Sequence, residues 1–313
     1  MAARRQSCLG IDFGGTNTRW GLVTPDGRIT ARASHKTNSD AAPAAELERL
    51  AGALKAFIKE QDADVCAAGM GICGFIDFEK QNLIVSPNMP AWNDVEVARI
   101  LGGHLGMPCV FDNDLHMSAL GESAYGAAKG VRDFAAINLG TGVGGALFLN
   151  GGIHRGARGI TGEIGHLPLD PQNGPPCGCG RNGCLEAFVG RDGILELYRF
   201  LCDDGGTEPK ARGQQELCRL ASAGDKFALG AYAMAGEYLG RGLAILANLL
   251  NPSLLVIGGG VAKTGGPLLD PARKALKLYA LPAVMEDLEL KLSRLGDDAG
   301  ILGAAHAARL MRD

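Results

Sequence analysis

The sequence predicts an α/β protein of about two domains. Three observations carry this. Short apolar, strand-like runs alternate with stretches of helical periodicity. One strand–glycine turn–strand pattern occurs twice. The length of 313 residues corresponds to about two domains at ~150 residues each. Hydrophobic residues make up 46% and charged residues 21%, a globular composition. The net charge of −3 argues against a broad nucleic-acid-binding face. Glycine is the outlier: 47 residues, roughly twice the usual ~7%, and without the three-residue period of collagen.

The elements follow in order. Cys8-Leu9-Gly10-Ile11-Asp12-Phe13 reads as a strand, Gly14-Gly15-Thr16-Asn17 as a turn and Arg19 to Val23 as a second strand. Pro25 to Arg28 is a turn. Ala44 to Lys59 carries Leu47, Leu50, Leu54, Phe57 and Ile58 at helical spacing. Val65 to Ile72 and Cys109 to Asp112 are short buried strands, and Leu115 to Tyr125 is helical. Ile137-Asn138-Leu139-Gly140-Thr141-Gly142 then repeats Ile11-Asp12-Phe13-Gly14-Gly15-Thr16. Six aligned positions are compatible with an internal duplication or with chance. A duplication implies two α/β lobes, each turning a glycine loop into the cleft. Lys226 to Leu250 is a long amphipathic helix closed by Asn251-Pro252. Leu254 to Ile257 is a strand running into Gly258-Gly259-Gly260, and Gly300 to Met311 is a last helix. Asp203 to Arg212 is a polar surface loop.

The apolar run near the start is broken by Asp12, too early for a signal-peptide core. No window reaches the ~18 apolar residues of a membrane span. A cytoplasmic, reduced chain is expected, so its nine cysteines should be thiols or metal ligands.

Three glycine turns follow apolar strands: Gly14-Gly15-Thr16, Gly140 to Gly145, and Gly258-Gly259-Gly260. Glycine lets backbone N–H groups approach a phosphate without Cβ clashes. Tight hairpins and helix caps are the other reading. No P-loop pattern occurs. Gly140, Gly142 and Gly145 fit the dinucleotide spacing, but a strand ending in Asn150-Gly151 follows where that fold needs a helix. Asp12 precedes the first turn, a place suited to Mg²⁺ held through water. Thr16 and Thr141 offer hydroxyls.

Cys177-Gly178-Cys179-Gly180-Arg181-Asn182-Gly183-Cys184 puts three thiols within eight residues, and His166 lies upstream. A tetrahedral Zn²⁺ site needs four ligands, and four protein ligands make the site structural. A reactive-thiol loop is the alternative. Closing the loop would gather Glu163, His166 and Glu186, and rigid carboxylates can accept hydrogen bonds from sugar hydroxyls. Two surface glutamates are the plainer reading. Asp112-Asn113-Asp114 ends a short strand, where α/β enzymes place chemistry. One of these aspartates could take a proton from an attacking hydroxyl, or the trio could cap the helix that follows. Periodicity does not choose between Asp112 and Asp114.

These motifs occur together in one order: Asp12-Phe13-Gly14-Gly15-Thr16, Asp112-Asn113-Asp114, Leu139 to Gly145, Gly162-Glu163-Ile164-Gly165-His166, and Cys177 to Glu186. In this the chain resembles the ROK family (repressor, open reading frame, kinase) from about Cys8 to its tail. The resemblance implies a two-lobed, actin-like, hexokinase-like (ribonuclease H-like) ATPase fold. The small lobe would span 1–115, with a helix at about 300–313 packing back on it. The large lobe would span 116–299 and hold the zinc loop 166–184. It further implies that Asp114 is the base that deprotonates a sugar 6-hydroxyl. Gly74, Asn88, Asn113, Glu163, His166 and Glu186 would join Asp114 in binding the sugar. His166 with Cys177, Cys179 and Cys184 would hold structural Zn²⁺. Asp12, Gly14, Gly15, Thr16, Gly140, Thr141, Gly142 and Gly144 would hold ATP phosphates and Mg²⁺, and Gly258, Gly259 and Gly260 would lie by the adenosine. The family commonly has Asn where this chain has His116.

The implied activity is ATP-dependent phosphorylation of glucose or N-acetylglucosamine, ahead of N-acetylmannosamine, allose or fructose. The alternative is a sugar-sensing regulator without kinase activity. Family repressors carry an N-terminal helix-turn-helix, and only 11 residues precede Asp12. The expected partners are a sugar, ATP and a second copy in a homodimer, with no nucleic acid and no membrane.

Overall fold

The structure, a computed structural model, describes residues 6–312 apart from Asn88. The chain forms two compact units, each assembled from separated stretches. The first comprises Met1–Arg132, Leu147–Thr161 and Arg294–Asp313, and the second Asp133–Ala146 and Gly162–Ser293.

The first unit opens with β1 (Ser7–Phe13), β2 (Asn17–Val23), β3 (Ile29–Lys36), α1 (Pro43–Glu60) and β4 (Val65–Ile72). A small hairpin of β5 (Phe75–Asp77) and β6 (Asn82–Val85) follows, then α2 (Val97–Leu105), β7 (Cys109–Asn113) and α3 (Asp114–Tyr125). The main sheet has the order β3-β2-β1-β4-β7. β1 to β3 form an antiparallel meander, and β4 and β7 run parallel to β1. Side chains alternate across this sheet with the period of two that a pleat imposes. Leu9, Ile11, Phe13, Ala68, Met70, Ile72 and Phe111 join Leu47, Leu50 and Leu54 of α1 and Leu101 of α2 in one core. Cys8, Ala67 and Val110 point to the other face, into a second core.

In the second stretch β8 (Phe134–Leu139) and β9 (Val143–Leu149) form a hairpin, extended by β10 (Gly152–Ile153). The β9–β10 turn is Asn150-Gly151, both at positive φ (57° and 83°), the geometry expected of an Asn-Gly hairpin. Then come α4 (Leu185–Val189), α5 (Arg191–Asp204), α6 (Gln214–Ser222), α7 (Lys226–Leu250), β11 (Leu254–Gly258), α8 (Gly266–Tyr279), α9 (Pro282–Met285), β12 (Glu289–Leu292) and α10 (Ala299–Leu310). The second sheet has the order β10-β9-β8-β11-β12, with β11 parallel to both β8 and β12. In strand order and direction this repeats β3-β2-β1-β4-β7. The six-residue sequence repeat therefore marks equivalent hairpins in two equivalent sheets. α7 is capped by Asp225, whose carboxylate accepts the N–H groups of Phe227 and Ala228.

The last helix, α10, belongs to the first unit and covers the Cys8–Ala67–Val110 face with Ile301, Leu302, Ala305 and Ala308. It lies on glycine. A Cβ on Gly10 would fall 1.9 Å from the Ile301 carbonyl oxygen, and one on Gly69 1.8 Å from that of Ala304. Buried Glu122 ties the segment before α10 to α3, accepting the N–H groups of Ala127 (2.6 Å) and Leu295 (3.1 Å). Among the described residues no helix is long and apolar enough to cross a membrane.

Candidate active site

In the first unit the parallel strands β1, β4 and β7 end at one edge, and the polar residues singled out from the sequence gather there. The register sets Asp12 beside Gly71 and Gly71 beside Asp112. All three therefore lie in one row on the face that α3 and α10 cover. Gly71 carries no side chain, and a Cβ there would meet the Asp114 Cα at 3.2 Å. The start of α3 thus seats over the gap between two aspartates.

The turn Gly14-Gly15-Thr16 is held from below. The Thr37 hydroxyl donates to the Gly14 carbonyl at 2.7 Å, and Gly14 N–H donates to Asn17 O. Gly15 and Thr16 are exposed, and no atom lies within 4 Å of a Cβ built on Gly15. Asp12 is ion-paired with Arg19, its partner across the hairpin.

The corner between β7 and α3 separates the two candidate bases. Asp112 is 3% exposed, and both its oxygens are occupied. Oδ1 accepts the Asn113 N–H at 2.7 Å and bonds His116 Nδ1 at 2.9 Å. Oδ2 accepts Arg155 Nε at 2.8 Å and a second guanidinium nitrogen at 2.7 Å. Burial disfavours its charge, but His116, Arg155 and the Asn113 N–H outweigh that and hold the carboxyl below its ordinary value. Asp114, the first residue of α3, has no such cage. Its carboxylate accepts the Leu115 N–H at 3.1 Å, a backbone rather than a side-chain partner. Burial, and after it the charge of Asp12, push its carboxyl up to about 6. Asn113 is the N-cap of α3: its Oδ1 accepts the N–H groups of Leu115 and His116, and its Nδ2 donates to Gly74 O at 3.1 Å. The capping role weighed for this trio is real, and Asn113 performs it. Gly74 has φ 152°, and a Cβ there would meet Val85 O at 2.6 Å. Asn88 lies outside the described residues.

In the second unit β8 and β11 are parallel neighbours, with Gly258 opposite Asn138. The turns at Gly140–Gly145 and Gly258–Gly260 therefore leave the same sheet edge side by side. Gly259, at φ 90°, passes so near β8 that a Cβ would sit 2.2 Å from Leu139 O. Glu186, on α4, reaches the first of these turns. Its Oε2 accepts the Val143 N–H at 2.9 Å and would clash at 2.4 Å with a Cβ on Gly142. Its Oε1 accepts from Cys177 Sγ at 3.6 Å. Thr141 is exposed, and Gly144 is half-buried within β9. A cavity of about 910 Å³ includes Gly260, Lys263, Arg191 and Arg212 in its lining.

His166, Cys177, Cys179 and Cys184 converge, with all four ligand atoms within 4.8 Å of one another. His166 Nδ1 lies 3.6 Å from Cys177 Sγ, and Cys179 Sγ lies 3.7 Å from Cys184 Sγ. Ligands at the ~2.3 Å of a zinc–sulfur bond stand ~3.8 Å apart in a tetrahedron, so the donor set and spacing fit such an ion. Glu163 Oε2 is 3.9 Å from His166 Nε2. α4, which begins directly after Cys184, is anchored by Phe188 stacking on Tyr238 of α7 at 3.7 Å between ring centres.

Sequence reasoning missed Arg19, Arg155 and the role of His116. Arg19 was within reach, because a tight hairpin after Asp12 dictates its cross-strand partner. Arg155 gave no signal: it is 43 residues from Asp112, in a stretch without periodicity.

A glucokinase of Halalkalibacterium halodurans is 35% identical over 310 residues, covering 94% of this chain and 92% of that protein. A ROK family glucokinase from Streptomyces griseus, crystallised with glucose and AMPPNP, is 29% identical with a TM-score of 0.81, covering 97% of this chain and 99% of that one. A ROK family transcriptional regulator, a homologue of the E. coli MLC protein, is 25% identical with a TM-score of 0.87, covering 96% of this chain and 77% of that one. The ROK family model itself matches residues 8–310: the chain belongs to the ROK family.

Proposed function

We propose that this protein is an ATP-dependent sugar kinase that phosphorylates glucose at its 6-hydroxyl, with Asp114 as the general base. One observation carries the assignment of the base. Of two aspartates at the strand end, Asp112 is fully engaged by hydrogen bonds, while Asp114 keeps a carboxyl raised to about 6, in the range suited to proton transfer near neutral pH. The glucokinase relatives support glucose as the acceptor.

Phosphoryl transfer demands mostly positioning and charge neutralisation. Asp114 accepts the hydroxyl proton as the oxygen attacks the γ-phosphorus. The second N–H of the Asn113 amide, with Gly74, Asn88, Glu163, His166 and Glu186, holds the other hydroxyls. Asp12 would hold Mg²⁺, which would neutralise the charge of the phosphates. The turns at Gly14–Thr16 and Gly140–Gly144 take the phosphates. Gly258–Gly260, with the cavity beside Gly260 and its basic side chains, receives the rest of the nucleotide. His166, Cys177, Cys179 and Cys184 would hold a structural zinc, pinning the loop that leads into α4 and Glu186. The two units act as the lobes of an actin-like ATPase, in a cytoplasmic homodimer.

ADP release measured over glucose, N-acetylglucosamine, N-acetylmannosamine, allose and fructose tests the reading. Glucose should give the highest kcat/KM, and Asp114→Asn should retain under ~1% of turnover. ADP release with none of these sugars would favour the non-catalytic regulator. Substantial turnover by Asp114→Asn would remove Asp114 from its role.

A further inference from the structure

Resting on the assignment of Asp114 as base, we infer that Asp112, His116 and Arg155 form a positioning network that aims Asp114 without touching either substrate. Asp114 has little of its own to fix it. Its carboxylate accepts backbone N–H groups at the start of α3, Leu115 among them, so its direction depends on the angle at which α3 leaves β7. Asp112 is the residue that holds that angle. Oδ1 joins the N–H of Asn113, at the end of the strand, to His116, in the first turn of the helix. Oδ2 joins both to Arg155 through two nitrogens. Arg155 is in turn fixed, its guanidinium 3.6 Å from the centre of the Phe78 ring. Four charge-assisted hydrogen bonds thus converge on one carboxylate 3% exposed, beside a histidine 2% exposed.

On the side of Asp112, packing does not duplicate this restraint. A cavity of about 720 Å³ adjoins the network, lined by Asp112, His116 and Arg155 together with Met117, Leu120 and Phe148. Asp114 is not part of its lining. With open volume on that side, the flank of the corner at Asp112 is held by directional bonds, while the opposite flank of α3 rests on Gly71 and on α10. If His116 or Arg155 loses its hydrogen bonds, the corner can relax toward the cavity. A displacement of ~1 Å at a catalytic group can cost ~10²-fold in rate. Each partner therefore matters for kcat and not for substrate affinity.

The test is steady-state kinetics on the intact protein. His116→Phe keeps a ring and removes the donor. Arg155→Met keeps the stem against Phe78 and removes the fork. Each should lower kcat by roughly 10- to 100-fold, with KM for glucose and for ATP within about twofold of wild type. His116→Asn restores an amide donor near the Nδ1 position and should recover kcat to within about threefold of wild type. A kcat within twofold of wild type for a folded His116→Phe or Arg155→Met overturns the inference. So does a parallel rise in KM, which would mark substrate contact, or a His116→Asn no better than His116→Phe. Should His116→Phe not fold, Arg155→Met, at a half-buried position, carries the test. Asp114→Asn is measured alongside. Turnover retained there defeats the assignment of the base. Turnover lost there but unchanged in the network variants defeats the positioning role alone.

Discussion

Two carboxylates two residues apart end up on opposite sides of their ordinary range. Asp112 keeps its charge in the core because four donors surround it. Asp114 tends to give its charge up, because burial and Asp12 both oppose it. The sign of the second effect can be followed through to stability. A folded-state value of about 6 against 3.8 for the free side chain means the folded chain binds this proton more tightly than the unfolded one. Stability from this group falls as pH rises from about 4 to 6 and levels off above. Asp114→Asn removes the penalty. At pH 8 it should raise stability by up to ~3 kcal/mol, and at pH 4 the gain should vanish, as thermal melts at the two pH values would show. Wild-type kcat/KM should fall about tenfold per pH unit below about 6. That a carboxylate cluster sat at this strand end was legible from Asp112-Asn113-Asp114 alone. Which member keeps an uncaged carboxyl was not. The distinction is made by Arg155, which reaches Asp112 from a loop 43 residues away, and no local pattern announces such a contact.

At the scale of elements, the glycine excess has a mechanical use that composition only hinted at. Gly10 on β1 and Gly69 on β4 let the α10 backbone rest directly on the sheet. Gly303 of α10 does the same against α3, where a Cβ would fall 1.6 Å from Met117 O. Gly69→Val should therefore lever α10 off its seat and cost more than ~3 kcal/mol. Gly52→Ala is the control: it is exposed within α1 with no atom within 4 Å of the added Cβ. That change should stabilise by ~0.5–1 kcal/mol. Denaturant midpoints compare the two. Elements with strong apolar periodicity were legible: β1, β2, β4, β7, β11, α1, α3, α7 and α10 lie where the pattern put them, within a residue or two, and β8 and β9 were legible as a repeat of the first hairpin, each starting three residues earlier than the residues that marked it. The rest carried weak signals for physical reasons. β3 turns Ala31 and Ala33 to its covered side, too small a contrast with its polar face. α8 contains Pro271, which argues against a helix. β12 is an edge strand with Glu289, Lys291 and Leu292 exposed.

For the whole molecule, two sheets with one strand order turn a six-residue coincidence into an architectural repeat. The repeat could not have been secured from sequence, because outside the glycine turns the equivalent strands share only apolar character. Among the described residues, the loop bearing the His166–Cys177–Cys179–Cys184 cluster has no counterpart in the first unit, and emptying it of the proposed ion should act selectively. A strong chelator should release about one zinc per chain and expose the Cys177, Cys179 and Cys184 thiols to labelling. The KM for glucose should rise as Glu186 loses its support. Activity and thiol labelling unchanged by chelation would mean the cluster holds no ion. One further consequence concerns α10. It seals the core beneath β1, yet a ribosome makes it almost 300 residues after β1 emerges. Until then the Cys8–Ala67–Val110 face and the glycines beneath α10 have only the partial cover of α3. Synthesis therefore delivers the first unit's strands early and its lid last, so the nascent chain must carry an open face through nearly all of translation. Any holdase that attends this protein has its binding surface laid out along β1 and β4.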